Sequence, residues 1–183
     1  MNSHFSIKEM CTVAIFTAIT AVLSQISIPL PFSPVPITMQ VLAIYLSSII
    51  LGSKLGTLSQ IIYILLGIVG IPVFANFSGG LSVLVGPTGG FLISFPIIAF
   101  IIGKTAENDL NFIFKILGLI FSLMVCYFIG TLQFIFITNM SIQKSIALCV
   151  LPYIPLDIVK IIVAYILGYN VRQALLRAKL IKC

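Results

Sequence analysis

Asp157 and Lys160 stand three residues apart in the apolar run Pro155-Leu-Asp157-Ile-Val-Lys160. That spacing places a carboxylate and an ammonium on one face of a helix. Pro155 suits a first helical turn, and a carboxylate in that turn is favoured by the helix dipole. An ionisable group inside a membrane costs on the order of a few kcal/mol and by default marks a functional site. Such a pair can accept one hydrogen bond and donate another to a bound molecule. The alternative is a pair that neutralises itself and does nothing more.

Uncharged polar groups add to the constellation. Asn76, which can donate and accept, lies in the stretch from Ile71 to Gly90, with Gly79, Gly80, Gly86, Thr88 and Gly89 around it. This stretch of about 20 residues is rich in glycine, still apolar, and free of charge. Irregular backbone at membrane depth is tolerated where protein buries it or a cavity lies beside it, and glycine lets backbone approach a ligand closely. The stretch is therefore expected to fold back over the end of the bundle as a re-entrant-like loop. Gln40 offers a second amide at the start of another apolar segment, with helix capping or packing as an equal alternative. Ala14 and Ala18 form a small-xxx-small pair, extended by Ala21, of the kind that lets helices approach closely in lipid.

Catalytic and metal chemistries find little support. Gly103-Lys104-Thr105 resembles the end of a phosphate-binding loop, but Ile98 stands where its first glycine belongs. No G-x-S-x-G or H-E-x-x-H motif occurs. The one histidine, His4, lies beside the N-terminus, and Cys11, Cys126, Cys149 and Cys183 form no C-x-x-C pair. No metal, cofactor or catalytic residue is expected.

The elements that must position these groups are membrane helices. Hydrophobic residues make up 60% of the 183 and charged residues 8%, whereas a soluble domain carries roughly 25% charged residues. With a mean hydropathy of +1.24, lipid must solvate much of the surface. The spacing of apolar segments predicts a single domain, 1–183, of all-α class with six transmembrane helices. The segments run over about 7–28, 37–51, 56–70, 91–103, 112–138 and 146–169, the last interrupted by Pro152 and Pro155. A basic tail, 171–183, follows. Four prolines between Pro29 and Pro36 end the first segment. The first segment is read as a span and not as a removable signal, since equally apolar segments succeed it.

Charge sets the orientation. With the N-terminus inside, the inner side collects Lys8, Lys54, Lys104, Lys115, Arg172, Arg177, Lys179 and Lys182, against Lys144 outside. This positive-inside bias puts both termini in the cytoplasm. The net charge of +6 is explained by segment ends, so nucleic acid is not expected as a partner.

Three motifs in order resemble one family. Pro34-Val-Pro-Ile-Thr-Met-Gln40, Gly86-Pro-Thr-Gly-Gly-Phe91 and Pro155-x-Asp157-x-x-Lys160 are together similar to BioY, the biotin-specific substrate-binding (S) component of energy-coupling factor (ECF) transporters. The resemblance implies a plasma-membrane protein of six helices that binds biotin near the extracellular side, under the loops after the first and third helices. It implies a transmembrane coupling (T) subunit and two cytosolic ATPases as partners, with Ala14 and Ala18 meeting the coupling subunit. The substrate-binding residues it points to are Asp157, Lys160, Asn76, Gln40, Gly79, Gly80, Thr88, Phe91 and Tyr153, with Phe74 and Phe77 as further wall. In some relatives a basic residue occurs in or after the Gly-Pro-Thr-Gly stretch; here Gly89, Gly90 and Phe91 offer none. Lys160 is then the expected partner of the biotin carboxylate, and Asp157 the acceptor for a ureido N–H. A component for a different small vitamin is the nearest alternative, and an unrelated membrane enzyme or structural subunit a remoter one.

Overall fold

The computed structural model describes residues 6–108 and 111–178; His4, Lys179, Lys182 and Cys183 lie outside the described residues. Among those described, seven α-helices and one two-stranded antiparallel sheet account for the regular structure, with a short 3-10 turn. Five of the helices are long and apolar enough to cross a membrane.

Helix α1 spans Ile7–Ser24 and opens on a capping box in which the Ser6 and Glu9 side chains each accept from the other's backbone N–H. The next residues form a hairpin, β1 Ser27–Leu30 and β2 Ser33–Thr38, paired Ser27 to Thr38 and Ile28 to Ile37. Proline excludes helix here, but in a two-stranded ribbon each strand keeps an unpaired edge where a missing N–H costs nothing. The proline-rich connection is thus a small sheet, an element that the proline count alone does not reveal.

Helix α2 spans Gln40–Ile68 but contains Gly52 at φ 83°, ψ −176°. A straight helix would hold residues 23 positions apart roughly 35 Å from each other. Yet Gln40 Nε2 donates to the Tyr63 hydroxyl at 2.7 Å, and Gln60 Nε2 donates to Ser47 Oγ at 3.0 Å. The chain therefore reverses at Gly52, where only glycine adopts that φ without strain. Two groups hold the reversal. The Glu107 carboxylate accepts from Ser53 N–H at 2.7 Å and from Ser53 Oγ, capping the second arm. The Arg172 guanidinium donates to the carbonyls of Ile49 and Ile50 at 3.1 and 3.0 Å, capping the first.

A connection holding the 3-10 turn Ala75–Phe77 and the short helix α3, Leu81–Val85, leads to α4, Gly89–Glu107. Pro96 lies inside α4. Helix α5 covers Phe112–Thr138, the span read from the sequence. The expected final segment is instead two helices, α6 Ile142–Cys149 and α7 Ile154–Arg177. Pro155 sits in the first turn of α7, where its missing N–H is harmless. The residues read as a basic tail continue α7 as far as Arg177.

Helix α4 is central, packed against α2 and α5, while α1 and α7 flank α2. The apolar core joins Ile44, Tyr45, Ile49, Phe95, Ile98, Ile102, Leu119 and Ile161. Polarity is inverted relative to a water-soluble bundle. Helix α1 buries Val13, Thr17, Thr20 and Ser24, and Thr17 donates to the Ser59 carbonyl at 3.0 Å. Meanwhile α5 exposes Phe114, Phe121, Phe128 and Phe136. Small polar residues between helices and large apolar ones outside are what a lipid-solvated bundle requires.

Candidate functional site

A cavity of about 270 Å³ opens among β2, the 72–88 connection, α4, α5 and α7. The Pro34–Gln40 motif contributes Pro34, Val35, Pro36, Thr38 and Gln40 to its wall. Tyr153 holds that strand in place, donating to the Val35 carbonyl and to Ser33 Oγ at 3.1 Å. Burial raises the Tyr153 phenol above its usual range, so it stays a donor.

Asp157 and Lys160 both face this cavity, and both are buried, at 3% and 8% exposure. Lys160 Nζ lies 2.7 Å from Asp157 Oδ1. Tyr127, from α5, donates to Asp157 Oδ2 at 2.7 Å. The pair is thus one electrically neutral unit that carries both an acceptor face and spare ammonium donors. Desolvated ion pairs are stable only with good geometry and further hydrogen bonds, and Tyr127 supplies one.

The pairing joins at one point of the wall two groups for which the sequence suggests separate partners on a bound molecule. Bringing a second carboxylate beside Asp157 would set two buried anions against one cation, which a low-dielectric site disfavours.

Asn76, Thr88, Phe91 and Phe74 line the cavity, as the sequence reading expects. Asn76, exposed at the loop tip, accepts from Ser27 Oγ at 2.6 Å through Oδ1, which leaves its N–H groups unengaged among the described residues. Gln40 lines the wall too, but its amide is engaged internally, donating to Tyr63 at 2.7 Å and accepting from Thr38 at 3.1 Å. Gly79 and Gly80 are not among the lining residues; the Gly80 N–H donates to the Gly67 carbonyl at 2.7 Å, shaping the loop. Phe77 is 72% exposed and is not a wall either.

The Gly86–Phe91 motif acts through close approach. A Cβ on Gly89 would sit 1.7 Å from the Leu84 carbonyl oxygen, so any side chain there would drive the connection off α4. Gln133 then ties that connection down, donating to the carbonyls of Leu84 and Gly86 at 2.6 and 2.9 Å.

Several cavity-lining residues escape the sequence reading: Tyr127, Cys126 and Cys149, and the apolar wall of Val83, Leu92 and Phe95. Tyr127 had a usable signal, as the lone tyrosine in the 27-residue apolar run of α5. The others are ordinary core residues by type and become visible only when the helices assemble. Ala14 and Ala18 lie elsewhere, on an open apolar groove shared with Leu58, Ile62 and Leu66 of α2. Among the described residues no cluster suited to a metal ion occurs.

Comparison with known proteins places this geometry. The BioY family model matches residues 1–177. The biotin transporter BioY of Thermotoga maritima is 40% identical over 166 residues, covering 91% of this chain and 96% of that protein. The probable biotin transporter BioY of Pyrococcus horikoshii is 43% identical, covering 88% and 94%. The crystal structure of the S-component for biotin from an ECF-type ABC transporter superposes with a TM-score of 0.83 at 28% identity, covering 94% of this chain and 95% of that one.

Proposed function

The chain belongs to the BioY family, and from that premise we propose that it is the biotin-binding membrane component of an ECF-type importer. It is a transport protein and not an enzyme; biotin is its cargo, and no cofactor is required. The observation that carries the reading is the neutral Asp157–Lys160 unit, braced by Tyr127, at the wall of a cavity that also presents aromatic and aliphatic side chains. A ureido ring has two N–H donors and one carbonyl acceptor. Asp157 takes one N–H and Lys160 donates to the carbonyl, so a neutral ring meets a neutral pair. The thioether ring and aliphatic chain lie against Phe74, Phe91, Leu92 and Phe95. The carboxylate points away from the pair, toward the loop side, where Asn76 and Thr88 offer neutral donors.

The two arms of α2, counted separately, bring the membrane crossings to six, in one transmembrane domain of the plasma membrane. The connection carrying Asn76 folds over the outer end of the bundle as a re-entrant-like loop. Lys54, Lys104, Lys115, Arg172 and Arg177 gather at the opposite end, which faces the cytoplasm along with both termini. The groove bearing Ala14 and Ala18 receives the transmembrane coupling (T) subunit, which links the chain to two cytosolic ATPases.

Equilibrium binding of radiolabelled biotin to the purified protein, with unlabelled vitamins as competitors, tests the assignment. Biotin is expected to displace the label at the lowest concentration. Tighter competition by another vitamin reassigns the substrate and keeps the transport class.

A further inference from the structure

Asn76 and Phe77 both adopt positive φ, at 57° and 53°, a region that asparagine tolerates but that a bulky residue such as phenylalanine avoids. Two such residues in succession persist only where their surroundings fix them. The Phe77 side chain does not supply that hold, since it is largely exposed. The Phe74 N–H donates to the Ser78 carbonyl at 2.9 Å and pinches the turn shut, but that bond lies within the loop and gives it no fixed place in the molecule.

Gln25, the residue that ends α1, supplies the place. Its Oε1 accepts from the Phe77 N–H at 2.8 Å. Its amide N–H groups reach the Phe74 carbonyl at 3.1 Å and Ser24 Oγ at 2.8 Å, with the Pro72 and Ala21 carbonyls at 3.5 and 3.2 Å. One side chain therefore grips both sides of the turn whose tip is Asn76. Gln25 does not itself line the cavity.

We propose that Gln25 is the positioning residue for Asn76, fixing the strained 74–78 turn to the end of α1 so that the Asn76 amide faces the bound molecule. The assignment rests on the reading of Asn76 as a ligand contact. A Gln25 that acts this way has no direct interaction with biotin, so its contribution to affinity passes through the 74–78 turn it holds, chiefly through Asn76 at the tip.

A double-mutant cycle tests this with biotin affinity as the readout. Gln25→Ala and Asn76→Ala are each expected to weaken binding by about tenfold, the worth of a lost or misplaced hydrogen bond. The double variant is expected to bind within about twofold of Asn76→Ala alone. Multiplying losses in the double variant, or unchanged affinity in Gln25→Ala, overturns the proposal. If Gln25→Ala does not fold, Gln25→Glu runs the same cycle, keeping the acceptor for Phe77 N–H while setting a carboxylate against the Phe74 carbonyl. Hydrogen exchange of the unliganded protein reads the turn independently of any substrate. Faster exchange confined to residues 74–78 in the Gln25 variant supports the assignment, and unchanged exchange there overturns it. Failure of the wild type to bind biotin would instead strike the substrate reading and leave the exchange result to decide the role of Gln25.

Discussion

Tyr127 donates to one oxygen of Asp157 while Lys160 holds the other. Removing the phenol leaves a buried carboxylate with an unmet acceptor and shifts its orientation against Lys160. Tyr127→Phe is expected to weaken biotin binding by about tenfold and to lower stability by about 1–3 kcal/mol, the cost of an unmet buried acceptor, checked by binding and unfolding measurements side by side. Charge made half of this site visible in the sequence, because Asp157 and Lys160 are rare in so apolar a chain. Tyr127 was less visible, since a tyrosine in a helix is ordinary until a carboxylate 30 positions away is brought against it. Gly79 and Gly80 illustrate the reverse error: a glycine beside a ligand loop can serve the loop's own backbone instead of the ligand.

Helix boundaries followed the prolines and glycines. Helix α5, which has neither proline nor a disruptive turn inside it, matches the expected 112–138 segment from end to end, and Gly52 falls in the gap between the expected 37–51 and 56–70 segments. The β-hairpin and the separate α6 were not legible, since a proline says where a helix cannot run but not what replaces it. The reversal depends on Glu107, whose carboxylate caps Ser53 at 2.7 Å and lies 3.6 Å from the Lys104 ammonium. Glu107→Ala is expected to cost about 1–2 kcal/mol of stability, as loss of a helix cap does, read as a lower unfolding temperature with biotin affinity retained. Gly52→Ala acts on the same elbow and more severely, since its Cβ would lie 2.4 Å from Glu107 Oε1 at a φ of 83°. A different outcome is expected on the open face of α1. Ala14→Trp fills the groove with Leu58 and Ile62, so it is expected to leave biotin binding intact and abolish energised uptake. Loss of binding by this variant would contradict a partner-facing role for Ala14.

On the scale of the molecule, polarity is arranged inside out, and this is what composition conveyed best. Serines, threonines and Gln60 lie between helices, and the large apolar side chains look outward. Within that frame the Asp157–Lys160 unit stands apart from the small polar residues, most of which bond within single helices or across one interface, while Thr57 Oγ1, Gln60 Oε1 and Thr131 Oγ1 have no partner among the described residues. Those residues knit the bundle. The ion pair faces the cavity, where its donors and acceptor are available to a guest. Neutralising only one partner would orphan a buried charge, at a cost of about 3–5 kcal/mol that would obscure any effect on binding.

Replacing both partners at once avoids that ambiguity. In the double variant Asp157→Asn, Lys160→Met no buried charge is left unpaired, so the protein is expected to keep its unfolding temperature. Its affinity for radiolabelled biotin, measured beside the wild type, is expected to fall by at least about a hundredfold, since two charge-assisted hydrogen bonds to the ureido ring are removed. A folded double variant that binds biotin as tightly as the wild type would contradict the account.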